Sequence, residues 1–410
     1  VTPSLLLGPD APHLLAAALA GYRSRLRALR VVTVAVQPNG ATVVQYAADV
    51  ERADGSRTRE TLAATTGDRI PDGAAVLAGH GVRVGVWRWP QDPALPALAT
   101  ASDPVRLAAL LRAAGLPRGA ITRIRVRAYR PGRRAVLEVE GGGPRLYVKV
   151  VRPRAVAALR ERHDLLAPHV PVPRPLAATA DGMLVLGECP GTSLRSRLSR
   201  DLPLPAPADL GELLDALPAP LMLLPRRRTH LERVAHFSAV LTATAVTGDA
   251  DRARLSALAA ALAGTDPGTH PDVAVHGDFH DGQLLGTDRR ITGLVDVDTA
   301  GPGHRIDEWA TLLAHLSVQA LHGTAAARRY GALVLAHAEG RFARPELRPR
   351  IAAAVLGLAT GPFRVQQEGW ARHTRDRLEL AERWMRTASC GSPAALTAGR
   401  DRGSRQPEHS

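Results

Sequence analysis

Between Val275 and Asp298 the chain reads VHGDFHDGQLLGTDRRITGLVDVD, placing His276, Asp278, His280, Asp281 and Gln283 within eight residues. A second apolar run, Ile291 to Val295, then delivers Asp296 and Asp298 where it ends. Two strand-like runs that each discharge carboxylates read as a hairpin-like platform holding polar groups at the mouth of a cleft. Polar groups packed so densely beside buried strands cost stability, so the pattern points to chemistry rather than to a solvated surface loop. Two chemistries suit these residue types. Phosphoryl transfer needs a carboxylate that orients a hydroxyl and accepts its proton, which Asp278 supplies, and oxygen ligands for magnesium, which Asp296 and Gln283 supply. Alternatively, His276, Asp278 and His280, at i, i+2 and i+4, face one way on an extended strand and form the metal site of a hydrolase. Against the second, such sites draw on further histidines, and the neighbouring His304 follows a Gly-Pro-Gly turn.

The order His-Gly-Asp, four residues, a side-chain amide, then a strand ending in Asp resembles the catalytic segment of the aminoglycoside phosphotransferase and choline kinase family. Position by position, the resemblance implies Asp278 as the catalytic aspartate, Asp296 as the principal magnesium ligand and Gln283 as the second. The family has Asn where Gln283 stands; Gln keeps a neutral oxygen donor of the hard type that magnesium accepts, and Asn39 is the only asparagine in the chain. The implied fold is bilobal and protein-kinase-like, of the α+β class: a small antiparallel-sheet lobe, a mostly helical lobe, and an N-terminal α/β extension. The implied substrates are ATP or GTP and a hydroxyl-bearing small molecule, whether antibiotic, sugar or amino alcohol. A nucleotide-binding but catalytically weak relative serving as an interaction module is the alternative that Gln283 favours.

The elements that must position these groups follow from the pattern. Of 53 basic residues one is lysine, Lys149, inside the apolar strand LYVKVV. A lysine in such a strand needs a partner, and its place matches the family's ATP-binding lysine. The helix opened by Pro153 holds two acids, Glu161 and Asp164; the longer Glu161 is the expected ion-pair partner of Lys149. The turn Arg130-Pro131-Gly132-Arg133-Arg134 between strands 121–129 and 135–140 is a tip whose Arg133 and Arg134 suit nucleotide phosphates. GECPGTSL after the strand 183–186 matches the hinge between lobes, where the family holds adenine near Glu188 and Cys189.

The remaining expectations are coarser. Residues 1–100 form an extension, with a helix over 10–30 and a meander whose first turn is Asn39-Gly40. Residues 101–188 form the small lobe, 189–386 the helical lobe, and 387–410 a disordered tail poor in bulky apolar groups. In the helical lobe, helices are expected over 325–339, 350–361 and 374–386. Asp307 reads as a capping or anchoring residue near a helix start. A net charge of +14 invites a nucleic-acid partner, but the arginines are scattered and no recognised motif accompanies them. No apolar run is long enough to span a membrane, and two cysteines, Cys189 and Cys390, give no disulfide framework, so a reducing cytoplasm is expected.

Overall fold

The computed structural model describes residues 4–388, apart from 22, 68–69, 80, 117–118, 245–247, 322 and 324. Beyond Ala388, the expected tail and Cys390 lie outside the described residues. Two antiparallel five-stranded sheets come first. The strands β1 (Arg25–Val36), β2 (Thr42–Glu51), β3 (Arg57–Thr66), β4 (Ala75–Gly79) and β5 (Val82–Arg88) are ordered β1-β2-β3-β5-β4. The Asn39-Gly40 turn joins β1 to β2: Gly40 adopts a φ of 82°, and Asn39 Oδ1 accepts the Ala41 N–H at 3.1 Å. Alternation along β2 buries Val44, Tyr46, Ala48 and Val50 on one face, against the helices Ser4–Leu7 and Ala11–Ala20. The helix expected to reach residue 30 stops at Ala20. From Arg25 the chain pairs with β2 along its length, and this pairing outweighs the helix propensity of its Leu and Arg residues.

The second sheet contains β6 (Arg123–Arg130), β7 (Arg134–Glu140), β8 (Leu146–Val151), β9 (Pro175–Ala178) and β10 (Met183–Gly187), ordered β6-β7-β8-β10-β9. One face packs Leu137, Val139, Val148 and Val150 with Leu98, Leu107 and Leu111 of two short helices, Leu98–Ala101 and Pro104–Ala113. Asp103 caps the second, accepting the Val105 and Arg106 N–H groups at 2.9 and 3.0 Å. The other face sets Val151, Leu184 and Leu186 against Val156 and Leu159 of the helix Pro153–Leu166.

Most of the remaining described chain is helical and encloses one core with Trp309, Leu313, Val355 and Trp384 among its buried members. Each fully buried Leu or Val there contributes roughly 1.5–3 kcal/mol. The helix expected from Arg350 begins earlier, at Arg344, and runs to Ala359. Pro349 sits within it, at the cost of one hydrogen bond to the Pro345 carbonyl, while Leu347 and Ile351 are fully buried on either side. Together the lobes make a bilobal α+β, protein-kinase-like fold preceded by a further α/β unit. Among the described residues no helix is long and apolar enough to cross a membrane.

The platform departs from the expected pairing. In chain order its strands are β11 (Thr192–Ser193), β12 (Val273–Val275), β13 (Leu284–Thr287), β14 (Arg290–Leu294) and β15 (Gly301–Gly303). The two apolar runs of the sequence pattern lie in different sheets: β12 pairs with β15, and β14 with β13, which also carries β11. Both runs nevertheless end at the same cleft.

Candidate active site

Asp278 lies in the loop after β12, and that loop is fixed mainly through backbone groups. His276 is buried. Its Nε2 bonds the Val295 carbonyl at 3.0 Å, so Nδ1 is left as the acceptor for the Asp278 N–H at 3.3 Å. Thr299 Oγ1 donates to the His276 carbonyl at 2.9 Å. Gly277 has a φ of 78°, and a Cβ there would stand 2.6 Å from the Thr299 carbonyl, so a side chain at this position would be both strained and obstructed. Beneath the loop Glu308, in the helix Arg305–Leu321, accepts the His276 and Gly277 N–H groups at 2.7 and 3.0 Å. Burial pushes its pKa up to about 7. These contacts take His276 out of the three-ligand metal site on which the hydrolase alternative rested. Both ring nitrogens of His276 are committed to the backbone, and His280 Nδ1 accepts the Gly282 N–H at 2.9 Å while its ring stacks on His315 at 3.9 Å.

Asp296 follows β14 in the left-handed region, with φ 59° and ψ 48°, a conformation Asp tolerates better than most residues. Its carboxylate meets the small lobe. Lys149 Nζ, from β8, is 2.8 Å from Asp296 Oδ1 and also bonds Asp298. Arg134, the first residue of β7, reaches Asp296 twice at 3.1 Å and Asp298 at 2.8 Å. Burial works to raise the Asp296 pKa, but Lys149 and Arg134 outweigh it and hold the group well below the usual carboxylate range. Gln283 completes the set, its amide 3.4 Å from Asp296 Oδ2. Asp296, Asp298 and the Gln283 carbonyl are all hard oxygen donors, a set that fits magnesium.

A cavity of about 630 Å³ opens over these groups, and Arg133, Arg134, Asp278, Gln283, Asp296 and Asp298 all line it. The hairpin tip forms its roof. Gly132 donates its N–H to Asp92 Oδ2 at 2.7 Å, Tyr129 Oη donates to the same oxygen at 2.9 Å, and the Gly132 carbonyl accepts Arg152 Nε at 2.8 Å. Trp87 and Trp89, left by the sequence as packing residues, settle on Tyr129: Trp87 Nε1 donates to its hydroxyl at 3.0 Å, and the Trp89 ring meets it edge-on at 4.8 Å.

The expected Lys149–Glu161 pair is not formed. Glu161 lies on the exposed face of its helix, and the buried face presents Val156, Leu159, His163 and Leu166. His163, on the buried face, is the residue of this helix that feels the Lys149 charge. Its Nδ1 donates to the Pro173 carbonyl at 2.8 Å, and its buried Nε2 has no hydrogen-bond partner. Burial first, and Lys149 after it, lower its pKa, so the ring is neutral with a lone pair on Nε2. The two residues expected at the hinge stand apart from this cavity. Glu188 pairs with Arg145 at 2.8 Å and lines a separate cavity of about 500 Å³ with Leu146, Leu176 and Pro190. Cys189 packs over Gly293, where an added Cβ would come within 2.9 Å of the cysteine's own, and burial pushes its thiol up to about 11.

Asp307 is not a catalyst in this geometry: it lies 3.3 Å from Arg350 Nε and 3.6 Å from His304 Nδ1, an anchor between two helices. Sequence reasoning missed Glu308, His163 and Asp92, and named Asp298 at the cleft without giving it a role. For Glu308 and His163 the available signal was position, a polar residue completing an otherwise apolar helical stripe.

The chain belongs to the phosphotransferase enzyme family, whose pattern it matches over residues 125–350. Among solved structures, an apo form of a thermostable mutant of aminoglycoside phosphotransferase APH(4)-Ia superposes with a TM-score of 0.50 at 14% identity, covering 68% of this chain and 98% of that one. The macrolide 2'-phosphotransferase MphH from Brachybacterium faecium gives a TM-score of 0.41 at 18% identity, over 66% and 97% of the two chains. At these identities the likeness concerns the fold. A search of curated proteins found no match.

Proposed function

We propose that the protein transfers the terminal phosphoryl group of ATP or GTP to a hydroxyl of a small molecule. The observation that carries the reading is convergence: the one lysine of the chain and a tip arginine from the small lobe close on Asp296 and Asp298 of the helical lobe, in the cavity that Asp278 also lines. Those two cations are the groups that would turn to the triphosphate once it enters, and Arg133 and the Gly132 turn would lie over it. Asp278, held by the backbone clamp on His276 and Gly277, would orient the acceptor hydroxyl and take its proton. His163 Nε2 would accept from Lys149 as the ammonium shifts toward phosphate, the task expected of Glu161. Asp296, Gln283 and Asp298 would hold magnesium, which would supply positive charge to offset that of the phosphates. The hinge around Glu188 and Cys189 would take the base.

The test is a screen of hydroxyl-bearing acceptors for ATP-dependent mass gain of one phosphate, paired with Asp278→Asn. The variant should bind nucleotide with ordinary affinity and lose about three orders of magnitude in kcat. Turnover of the variant at the wild-type rate on an identified acceptor would refute the role of Asp278. Failure of the wild type to bind either nucleotide would refute the kinase reading as a whole.

A further inference from the structure

The cavity wall carries seven arginines against three aspartates, Asp278, Asp296 and Asp298. Two of the arginines are neutralised locally, Arg134 by Asp296 and Asp298, and Arg195 by Asp281 at 2.9 Å. The other five, Arg130, Arg133, Arg152, Arg227 and Arg364, form no ion pair among the described residues. Arg152 is engaged by the Gly132 carbonyl and Arg227 by the Gly277 carbonyl at 3.3 Å, leaving their charges uncompensated. Burial and mutual repulsion depress the pKa values of Arg130, Arg133 and Arg364, the electrostatic signature of like charges crowded into a partly desolvated wall. Such a wall costs stability until an anion enters it, and it draws anions from solution.

A nucleoside triphosphate accounts for part of this charge, through the arginines of the hairpin tip and Lys149. Magnesium would offset some of the phosphate charge, so a positive surplus is left in the cavity. There Arg227, bonded to the residue before Asp278, and Arg364, at the end of the short helix Gly361–Arg364, face the cavity from the helical lobe. The carboxylates that a polycation would need are taken: Asp296, Asp298 and Asp281 already hold cations, which leaves Asp278.

We propose that the acceptor is itself an anion, a small hydroxyl compound bearing a phosphate or carboxylate, whose charged group is held by Arg227 and Arg364 while its hydroxyl faces Asp278. This rests on the kinase reading. In the step, the acceptor oxygen forms a bond to the γ-phosphorus as the bond from that phosphorus to the bridging β–γ oxygen breaks. The hydroxyl proton passes to Asp278, and the nucleoside diphosphate leaves with the bridging oxygen. Polycationic aminoglycosides are disfavoured by the same wall.

The experiment is calorimetry on the full chain saturated with magnesium and a non-hydrolysable ATP analogue, titrated in turn with ribose 5-phosphate, gluconate, ribitol and kanamycin. At least one of the two anions should bind about tenfold more tightly than ribitol or kanamycin, and that affinity should fall about tenfold in Arg227→Gln and in Arg364→Gln. Preference for ribose 5-phosphate over gluconate, or the reverse, identifies the charged group. Tighter binding of ribitol or kanamycin, binding of neither anion, or anion affinity unmoved by both substitutions overturns the proposal. The preceding analogue titration separates the two readings: if the analogue binds and the anions do not, only the acceptor inference falls.

Discussion

Replacing Glu308 by Gln tests whether the Asp278 loop hangs on one buried carboxylate. Glu308 is 2% exposed, and burial lifts its pKa from 4.5 to about 7, a rise held in check by the His276 and Gly277 N–H groups. Because the folded-state pKa is raised, the native protein keeps a proton that the unfolded chain has lost over that interval. The stability this contributes is fully present below pH 4.5 and is lost as pH climbs through about 7, a difference of about 3 kcal/mol. Gln imitates the protonated acid and does not titrate. Between pH 5 and pH 8 the wild type should therefore lose about 2–3 kcal/mol relative to Glu308→Gln, read from urea unfolding at each pH. Other titrating groups, such as His163 and Asp92, are common to both proteins and cancel in the comparison. Turnover should move the other way. The ionised carboxylate accepts both N–H groups and the amide oxygen only one, so kcat of the variant at pH 8 should fall about tenfold. Parallel pH profiles of stability in the two proteins would refute the argument.

Two further outcomes concern groups that the sequence did not single out. His163→Leu keeps the packing but removes the unpartnered Nε2 lone pair; the KM for nucleotide should rise about fivefold with kcat less affected, and Glu161→Ala should leave both unchanged. Steady-state kinetics of the pair decides which helix residue serves the lysine. Asp92→Ala strips the acceptor from Gly132 and Tyr129, which should cost about 1–3 kcal/mol in urea unfolding and raise the nucleotide KM through a looser hairpin tip. An unchanged KM would detach the tip from nucleotide binding.

What could be read from the sequence was local. Asp278, Gln283 and Asp296 stand within one motif, and Lys149 stood out because every other basic residue is arginine; all four meet in the folded chain. Reading failed where the answer depended on which way a helix faces. Glu161 was preferred to Asp164 for its longer reach, yet the spacing of Val156, Leu159, His163 and Leu166 marks the buried stripe, and Glu161 falls outside it. Glu308 was hidden beside Asp307, since only the packed helix shows which of two adjacent acids points at the loop. The Arg134–Asp298 contact spans 164 residues and joins two lobes, so no window of sequence contains it. The strand that replaced the end of the first helix depended likewise on a partner, β2.

The α/β unit at the N-terminus touches the kinase-like body at two ends. Its linker anchors the hairpin tip through Asp92, and its core shares Phe363, with Trp370 and Ala243 beside it, from the helical lobe. A strap fastened to both lobes would limit how far they open, so under the proposed kinase activity nucleotide exchange would depend on give within the strap as well as between the lobes. Excising it would leave the lobes free to gape and would bare an apolar face on each of them.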